Sequence, residues 1–591
     1  MKLRSRVLVG SSLMALVIVL AGCSSPGPPE ETAALLTDLG AESGFEFTHI
    51  NGMTGEYFFP EMMGSGIAVF DADNDGDLDI YVVQGGPLSS DDGEIGSGGF
   101  PGDRLFRNDL VSLGGGAGTL GFHDITAASG IHGTGYGMGV AAGDYDDDGW
   151  TDLYVTNLGS NQLLRNQGLA EDGTVSFRDV TIEAGVDDSR WSTSAAFLDF
   201  DGDGFLDLYV VNYVDFRVAA NKLCRAANGK RDYCGPQSYT PEGDSLFRNL
   251  GDGTFSDASG SAGVAGRTGA GMGVVAADFD GDGRTDIYVA NDQTRNFLWI
   301  NRGDGTFEDT GFLAGCATNM DGRAEASMGV DAGDIDNDGD EDLFMTHLRH
   351  ETNTMFLNDG SALFEDVTFR TRVGAPSLGL TGFGTALFDY DNDGWLDLAA
   401  VGGAVFDIEE RAAAGDPFPL DQPNILLRNS GVVAGMVKFD DVSSRGGPGF
   451  TIPEVSRGLA TGDLDNDGDL DLAVSNNNGP ARVLLNRVGQ DRPWLGLSLL
   501  DRVGGRPVLG ARAELRRRGS ATLWRHSRSD GSYCSAKDPR VVFGLGGGSD
   551  VELLVVRWPD GSTESWPPPP LGEYTTVIKG SGEALPGDDS R

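Results

Sequence analysis

One nine-residue element, Asp-x-Asp-x-Asp-Gly-x-x-Asp, recurs seven times, and a chain built on it must fold as a repeat array. The copies start at Asp71, Asp144, Asp199, Asp278, Asp334, Asp389 and Asp463, 55 to 79 residues apart. Alternating acids closed by a glycine suit a tight turn around a hard cation, which takes about six to eight oxygens at roughly 2.3–2.6 Å. The glycine supplies the backbone freedom that such a bend demands. The expected ligands are Asp71, Asp73, Asp75, Asp77 and Asp79; Asp144, Asp146, Asp148, Trp150 and Asp152; and Asp199, Asp201, Asp203, Phe205 and Asp207. They continue as Asp278, Asp280, Asp282, Arg284 and Asp286; Asp334, Asp336, Asp338, Asp340 and Asp342; Asp389, Asp391, Asp393, Trp395 and Asp397; and Asp463, Asp465, Asp467, Asp469 and Asp471. The residue at position 7 of each loop serves through its carbonyl. About seven calcium ions are expected; magnesium, with its stricter octahedron and retained water, fits less well.

An EF-hand opens in the same way but needs a glutamate at position 12 and a helix after it. Position 12 here is Val82, Val155, Val210, Val289, Met345, Ala400 and Val474, inside short β-rich runs. Each loop therefore joins two strands. A third strand ends on Asn108, Asn166, Asn249, Asn301, Asn358, Asn429 or Asn486, and a fourth carries Phe-x-Asp at Phe122, Phe177, Phe255, Phe307, Phe364 and Phe439. Four strands repeated seven times give an all-β chain: a seven-bladed β-propeller with calcium loops over 34–488, followed by a small C-terminal β domain over 491–580 and a tail over 581–591. The seventh unit lacks its Phe-x-Asp strand, but Leu36-Thr37-Asp38 stands ahead of the first loop. The N-terminal segment is thus expected to complete the last blade and remove the open edge.

The start of the chain reads as an address. Lys2, Arg4 and Arg6 precede an apolar run that is short for a membrane span, so residues 1–23 are expected to be a signal peptide and 24–33 a linker. Leu20-Ala21-Gly22-Cys23 resembles the lipobox of bacterial lipoproteins, which implies lipidation of Cys23; an ordinary signal peptide is the alternative. Cys224 and Cys234 are ten residues apart in one loop-like stretch and are expected to form a disulfide, with Cys316 and Cys534 buried and free.

The repeats resemble the FG-GAP and VCBS repeats of integrin-type propellers. Trp494-Leu495, Leu509-Gly510-Ala511-Arg512, Gly531-Ser532-Tyr533, Phe543-Gly544-Leu545-Gly546 and Arg557-Trp558-Pro559-Asp560-Gly561 resemble the ASPIC/UnbV domain of the cartilage acidic protein family. Cys534 departs from that pattern, where an aliphatic residue is expected. The resemblance implies an extracellular, calcium-dependent, adhesion-like protein and supplies no established reaction.

With 90 acidic against 43 basic residues the net charge is -47, which opposes nucleic acid and anionic membranes; any membrane contact is expected through the lipid anchor alone. From the first loop Asp to the Asn of the third strand, units one, three and six span 37, 50 and 40 residues, against 22 to 24 elsewhere. The extra residues enter the connection between second and third strands, on the face away from the calcium loops. Residues 84–103, 213–244 and 402–423 are expected to form a recognition face for a protein or glycan; neutral loop growth is the alternative. The few histidines assemble no nucleophile and base, and 347–351 has the wrong order for a zinc protease helix. A polysaccharide-active enzyme and a purely structural envelope component remain the competing readings, and neither the ligand nor the oligomeric state is legible.

Overall fold

The computed structural model describes residues 34–585, apart from 89–100, 111–119, 134, 227–228, 416–418 and 503–504. The expected signal peptide, with Cys23 as its expected lipidation site, the expected linker and residues 586–591 of the expected tail lie outside the described residues.

The described residues are all-β in architecture, with helices of no more than five residues among them. Seven four-stranded antiparallel sheets succeed one another along the chain. In the first, Ile67–Phe70, Asp79–Val82, Arg104–Asn108 and Phe122–Asp124 pair in chain order. Five more sheets repeat that order. The seventh takes Ser456–Gly462, Asp471–Asn476 and Arg482–Asn486 from its own repeat and Leu36–Asp38 from the N-terminal end. Leu36, Thr37 and Asp38 lie opposite Asn486, Leu485 and Leu484, and Arg482 holds Asp38 at 2.5 Å.

The first strand of every sheet is buried along its whole length, Ala276 alone being half-buried, as expected for alternating side chains that must fill two neighbouring interfaces. Ala68 and Phe70 face the second sheet, while Ile67 and Val69 join a cluster with Leu464 and Ala473 of the seventh. Each neighbouring pair of sheets shares one such apolar cluster, the seventh and first included.

The C-terminal domain has two sheets. Trp494–Leu500 lies between Val541–Gly544, antiparallel, and Tyr574–Ile578, parallel. The second sheet runs Leu523–His526, Arg512–Arg517, Val551–Arg557, Thr563–Trp566 and Glu583–Ala584. That last strand pairs Glu583 with Ser565 and Ala584 with Glu564, so the domain extends beyond the expected 491–580 into the expected tail. An edge strand of two residues carries too little pattern to be read from sequence.

The domain does not stand apart from the repeats. Residues 527–538 leave it as a finger that touches the first strand of every sheet. Ala536 exchanges backbone hydrogen bonds with Ile67 and Val69, Cys534 accepts from Val140, and Ser532 exchanges with Val330. Asp530 accepts the N–H of Ala276 at 2.7 Å, Ser532 Oγ that of Thr385 at 3.1 Å, and Ser194 Oγ that of Cys534 at 3.0 Å. Asp538 N–H donates to the Thr461 carbonyl at 3.1 Å. The glycines opening those strands leave room for this finger: a Cβ at Gly66 would stand 2.3 Å from the Cys534 carbonyl oxygen, and one at Gly139 would meet the Cys534 Cα at 2.9 Å. Among the described residues no helix is long and apolar enough to cross a membrane.

Candidate functional site: acidic loops and the face opposite them

The seven acidic loops are built alike. The Asp at position 1 accepts the N–H of the loop glycine at 2.7–3.0 Å. The Asp at position 5 accepts the N–H of residue 7 at 2.9–3.2 Å. The Asp at position 9 divides its oxygens: one accepts the N–H of residue 2 at 2.9–3.1 Å. The other accepts the N–H of the asparagine that ends the third strand, at 2.7–2.9 Å. The loop glycine has φ of 88–100° throughout, and position 4 is also left-handed, at 52–75°. Only Asn, Asp and Gly occupy position 4, the residues that tolerate this conformation best. That rule was readable in the sequence and went unused.

These bonds aim the carboxylates at one another. In Asp71, Asp73 and Asp79, in Asp144, Asp146 and Asp152, and in Asp334, Asp336 and Asp342, one oxygen from each lies within 4.8 Å of the others. In the third and fourth loops the group formed is Asp199, Asp201 and Asp203, and Asp278, Asp280 and Asp282. Burial, then the neighbouring Asp338, pushes Asp334 up to about 8; burial, then Asp467, pushes Asp465 up to about 7. Such shifts record burial first and mutual repulsion second, with Arg525 and Arg487 offsetting only part of them. Oδ1 of Asp71, Asp73, Asp146, Asp278, Asp336 and Asp465 is buried and has no donor in the protein. A set of hard oxygens lacking donors and an internal cation fits calcium. Arginines of the third strand offset part of the charge from outside, as Arg165 does on Asp146 at 2.5 Å and Arg428 on Asp391 at 2.7 Å. Their place just before the strand-ending asparagine (Arg165-Asn166, Arg428-Asn429) is the signal that could have revealed them.

Position 7, expected to act through its carbonyl, has a second use for its side chain. Trp150 and Trp395 lie over Gly168 and Gly431, at register shifts where the third strand runs on past Asn166 and Asn429 to Leu169 and Val433 instead of ending there as expected, while Phe205 lies over Gly251 in the turn after its strand. The strand-ending asparagines have a role that the repeat alone did not disclose. Each Nδ2 crosses to the carbonyl of residue 2 in the preceding loop, at 2.6–3.0 Å, and that of Asn108 reaches Leu464 of the seventh loop.

The C-terminal domain lies on the loop side. Tyr574 donates to Asp463 at 2.8 Å, Arg540 to Asn466 at 2.9 Å, and Trp524 packs over Gly339. Glu341, buried in the fifth loop, binds His526 at 2.6 Å and Arg528 at 3.1 Å. The insertions between second and third strands emerge at the other end of the sheets. Two of them meet: Arg225, Lys230 and Arg231 of 213–244 face Phe406, Asp407 and Glu409 of 402–423 across a groove of about 740 Å³, with Tyr57 beside them. Cys224 and Cys234 are bonded within the first of these insertions. Most of 84–103 lies outside the described residues; Leu88 is buried in the apolar cluster beneath this face.

Cys316 and Cys534 are free and buried. The structure brings Ser327 Oγ to 3.2 Å from His347 Nε2, a pair that sequence spacing could not show. Burial pushes His347 down to about 3, and a Glu325 carboxylate oxygen lies 3.8 Å from the same Nε2.

Comparison with known proteins agrees with this architecture. The FG-GAP-like repeat family matches residues 144–210, 227–289, 278–345 and 334–400, and the ASPIC and UnbV family matches 503–584. Cartilage acidic protein 1 of Mus musculus is 26% identical over 531 residues, spanning 86% of this chain and 72% of that protein. The Homo sapiens protein of the same name is 25% identical over 529 residues, spanning 86% and 70%. Among solved structures, an Agrocybe aegerita lectin that recognises non-reducing terminal N-acetylglucosamine aligns over 71% of this chain and 86% of its own, at 15% identity and a TM-score of 0.38, too low to support an argument. The chain thus carries FG-GAP-like repeats and an ASPIC/UnbV domain and is homologous to cartilage acidic protein 1.

Proposed function

We propose that this protein is an exported, calcium-loaded recognition module that binds a protein or glycan and catalyses no reaction. In this reading the seven sheets are the blades of one closed propeller, and Cys23 anchors the mature chain to a membrane. Calcium in the seven loops is structural: the carboxylates at positions 1, 3, 5 and 9 would hold each ion, which supplies the positive charge those oxygens lack. The binding surface is the face opposite the C-terminal domain. One observation carries this assignment: two long insertions, 213–244 and 402–423, face each other across the groove, although 158 residues separate their near ends. Loop growth without function gives no reason for the two to meet.

The test is capture of ligands from a glycan array and an envelope extract, with and without chelator, comparing the full chain with a variant lacking 402–423. Calcium-dependent capture that the deletion abolishes supports the reading. Capture indifferent to the deletion, in a chain that still melts cooperatively, defeats it.

A further inference from the structure

The insertion of the third sheet holds cations together in a way that its own folding does not favour. Between 217 and 231 stand Arg217, Lys222, Arg225, Lys230 and Arg231 with no acid among them, in a chain of net charge -47. Cys224–Arg225 and Arg231–Asp232 form a two-stranded ribbon in which Arg225 lies directly opposite Arg231. Like charges opposed across strands destabilise a ribbon, and an isolated two-stranded hairpin is marginal already. The Cys224–Cys234 disulfide fastens this one. Arg217, Lys222, Arg225 and Lys230 are exposed. Arg231 has an ion pair, 3.0 Å from Glu56. Arg225 donates to the Gly229 carbonyl at 2.8 Å, a neutral partner, whereas Lys222 donates to the Ser238 carbonyl, sits 4.3 Å over the Tyr239 ring and, with Arg217, shares the nearby Asp215 carboxylate.

We propose that this hairpin is the anion-binding edge of the recognition face and that its ligand is an acidic polysaccharide, with carboxylate or sulfate groups carried on sugar rings. The inference rests on the reading of that face as a binding surface and adds the ligand's chemistry. Arg225, Lys230 and Arg231 line one wall of the groove, and the two arginines supply forked, charge-assisted donors to carboxylate or sulfate. Phe406, 41% exposed on the opposite wall, gives a flat apolar surface for a ring. Asp232, Asp407 and Glu409 accept hydroxyl hydrogen bonds and repel polymers of denser charge. Duplex nucleic acid, with a charge about every 1.7 Å, is disfavoured by those acids and by the net charge; a polysaccharide with one charge per ring or two is not.

The experiment uses the full chain in calcium buffer on immobilised polygalacturonate, κ-carrageenan (one sulfate per two rings) and neutral dextran. Retention on one or both acidic polymers and not on dextran is expected, weakening at least about tenfold between about 50 and about 300 mM salt. The carboxylate and sulfate arms distinguish the two sources of anion. Arg225→Gln is expected to weaken binding about tenfold and to keep or raise the melting temperature, because it removes the like-charge pair. A purely structural arginine would lower it. Equal retention on dextran, no retention on either acidic polymer, or unchanged binding by Arg225→Gln overturns the inference. Should Arg225→Gln leave binding intact while loss of 402–423 abolishes it, the hairpin assignment fails and the recognition face stands; should both leave it intact, the recognition reading fails with it.

Discussion

Asn429→Ala removes three hydrogen bonds from a buried seam between two sheets. Nδ2 donates to the Ile335 carbonyl at 2.9 Å and to that of Leu396 at 3.0 Å, while Oδ1 accepts from Gly431 N–H at 2.9 Å. Ile335 sits in the acidic loop of the preceding sheet, so the first bond ties sheet to sheet. Alanine leaves two carbonyls and one N–H without their partner. Each unmet buried group costs about 1–3 kcal/mol, and water relieves part of it at a loop edge, so the expected loss is about 3–5 kcal/mol. Unfolding entropy near 2.1 cal/mol/K per residue over roughly 550 residues is about 1.2 kcal/mol/K, which converts that loss into a fall of about 3–4 °C. Scanning calorimetry of the calcium-saturated chain measures it. Ser430→Ala, which deletes an exposed bond to Asp440, is the control and is expected to shift stability by less than about 0.5 kcal/mol. A fall below about 1 °C for Asn429→Ala, or an equal fall for the control, would refute the claim that these asparagines staple the sheets.

Metal analysis of the purified chain is expected to find about seven calcium ions, and chelation to lower the melting temperature strongly, since each site at tenfold excess over its Kd adds about 1.4 kcal/mol; one ion or none would end the calcium reading. Glu325 is held up at about 7 by burial and by the nearby Glu351, so its ionised form costs stability above that pH and the cost disappears as pH falls toward the unfolded value near 4.5. Glu325→Gln should therefore melt higher than the parent at pH 8 and no higher at pH 4.5; an equal gain at both would refute it. Cys534, buried and pushed up to about 12 by desolvation, should resist a thiol reagent until the chain unfolds. Labelling at a rate independent of denaturant would contradict the buried position of the finger.

The acidic loops and the strands flanking them were legible because both are local: a nine-residue chelating pattern and short apolar runs in step with it. The pairing of Leu36–Asp38 with Arg482–Asn486 was legible from a single absence, the missing Phe-x-Asp strand after Asn486. What stayed hidden is long-range. Nothing in Gly531-Ser532-Tyr533-Cys534 announces that it meets Val140, Ser194 and Val330, because those contacts use backbone groups and small hydroxyls rather than a periodic apolar face. A Cβ at Gly273 would stand 2.5 Å from the Met328 carbonyl oxygen and 3.1 Å from that of Ser532, so the small residue there serves both the neighbouring sheet and the finger. The cross-sheet role of Asn166 or Asn358 needed the neighbouring repeat in place, since the acceptor lies 94 or 79 residues away.

The finger also sets a timetable for biosynthesis. Val69 of the first sheet gives its N–H to Ala536, 467 residues further along the chain. At about 5–20 residues per second a ribosome needs roughly 25–90 seconds to cover that distance, and the first strand of that sheet stays without this partner throughout. Exposed strand edges of that kind are where nascent β chains aggregate. Export in an unfolded state, or a chaperone that occupies the first strands until residue 538 has emerged, is what such a design requires of the cell that makes it.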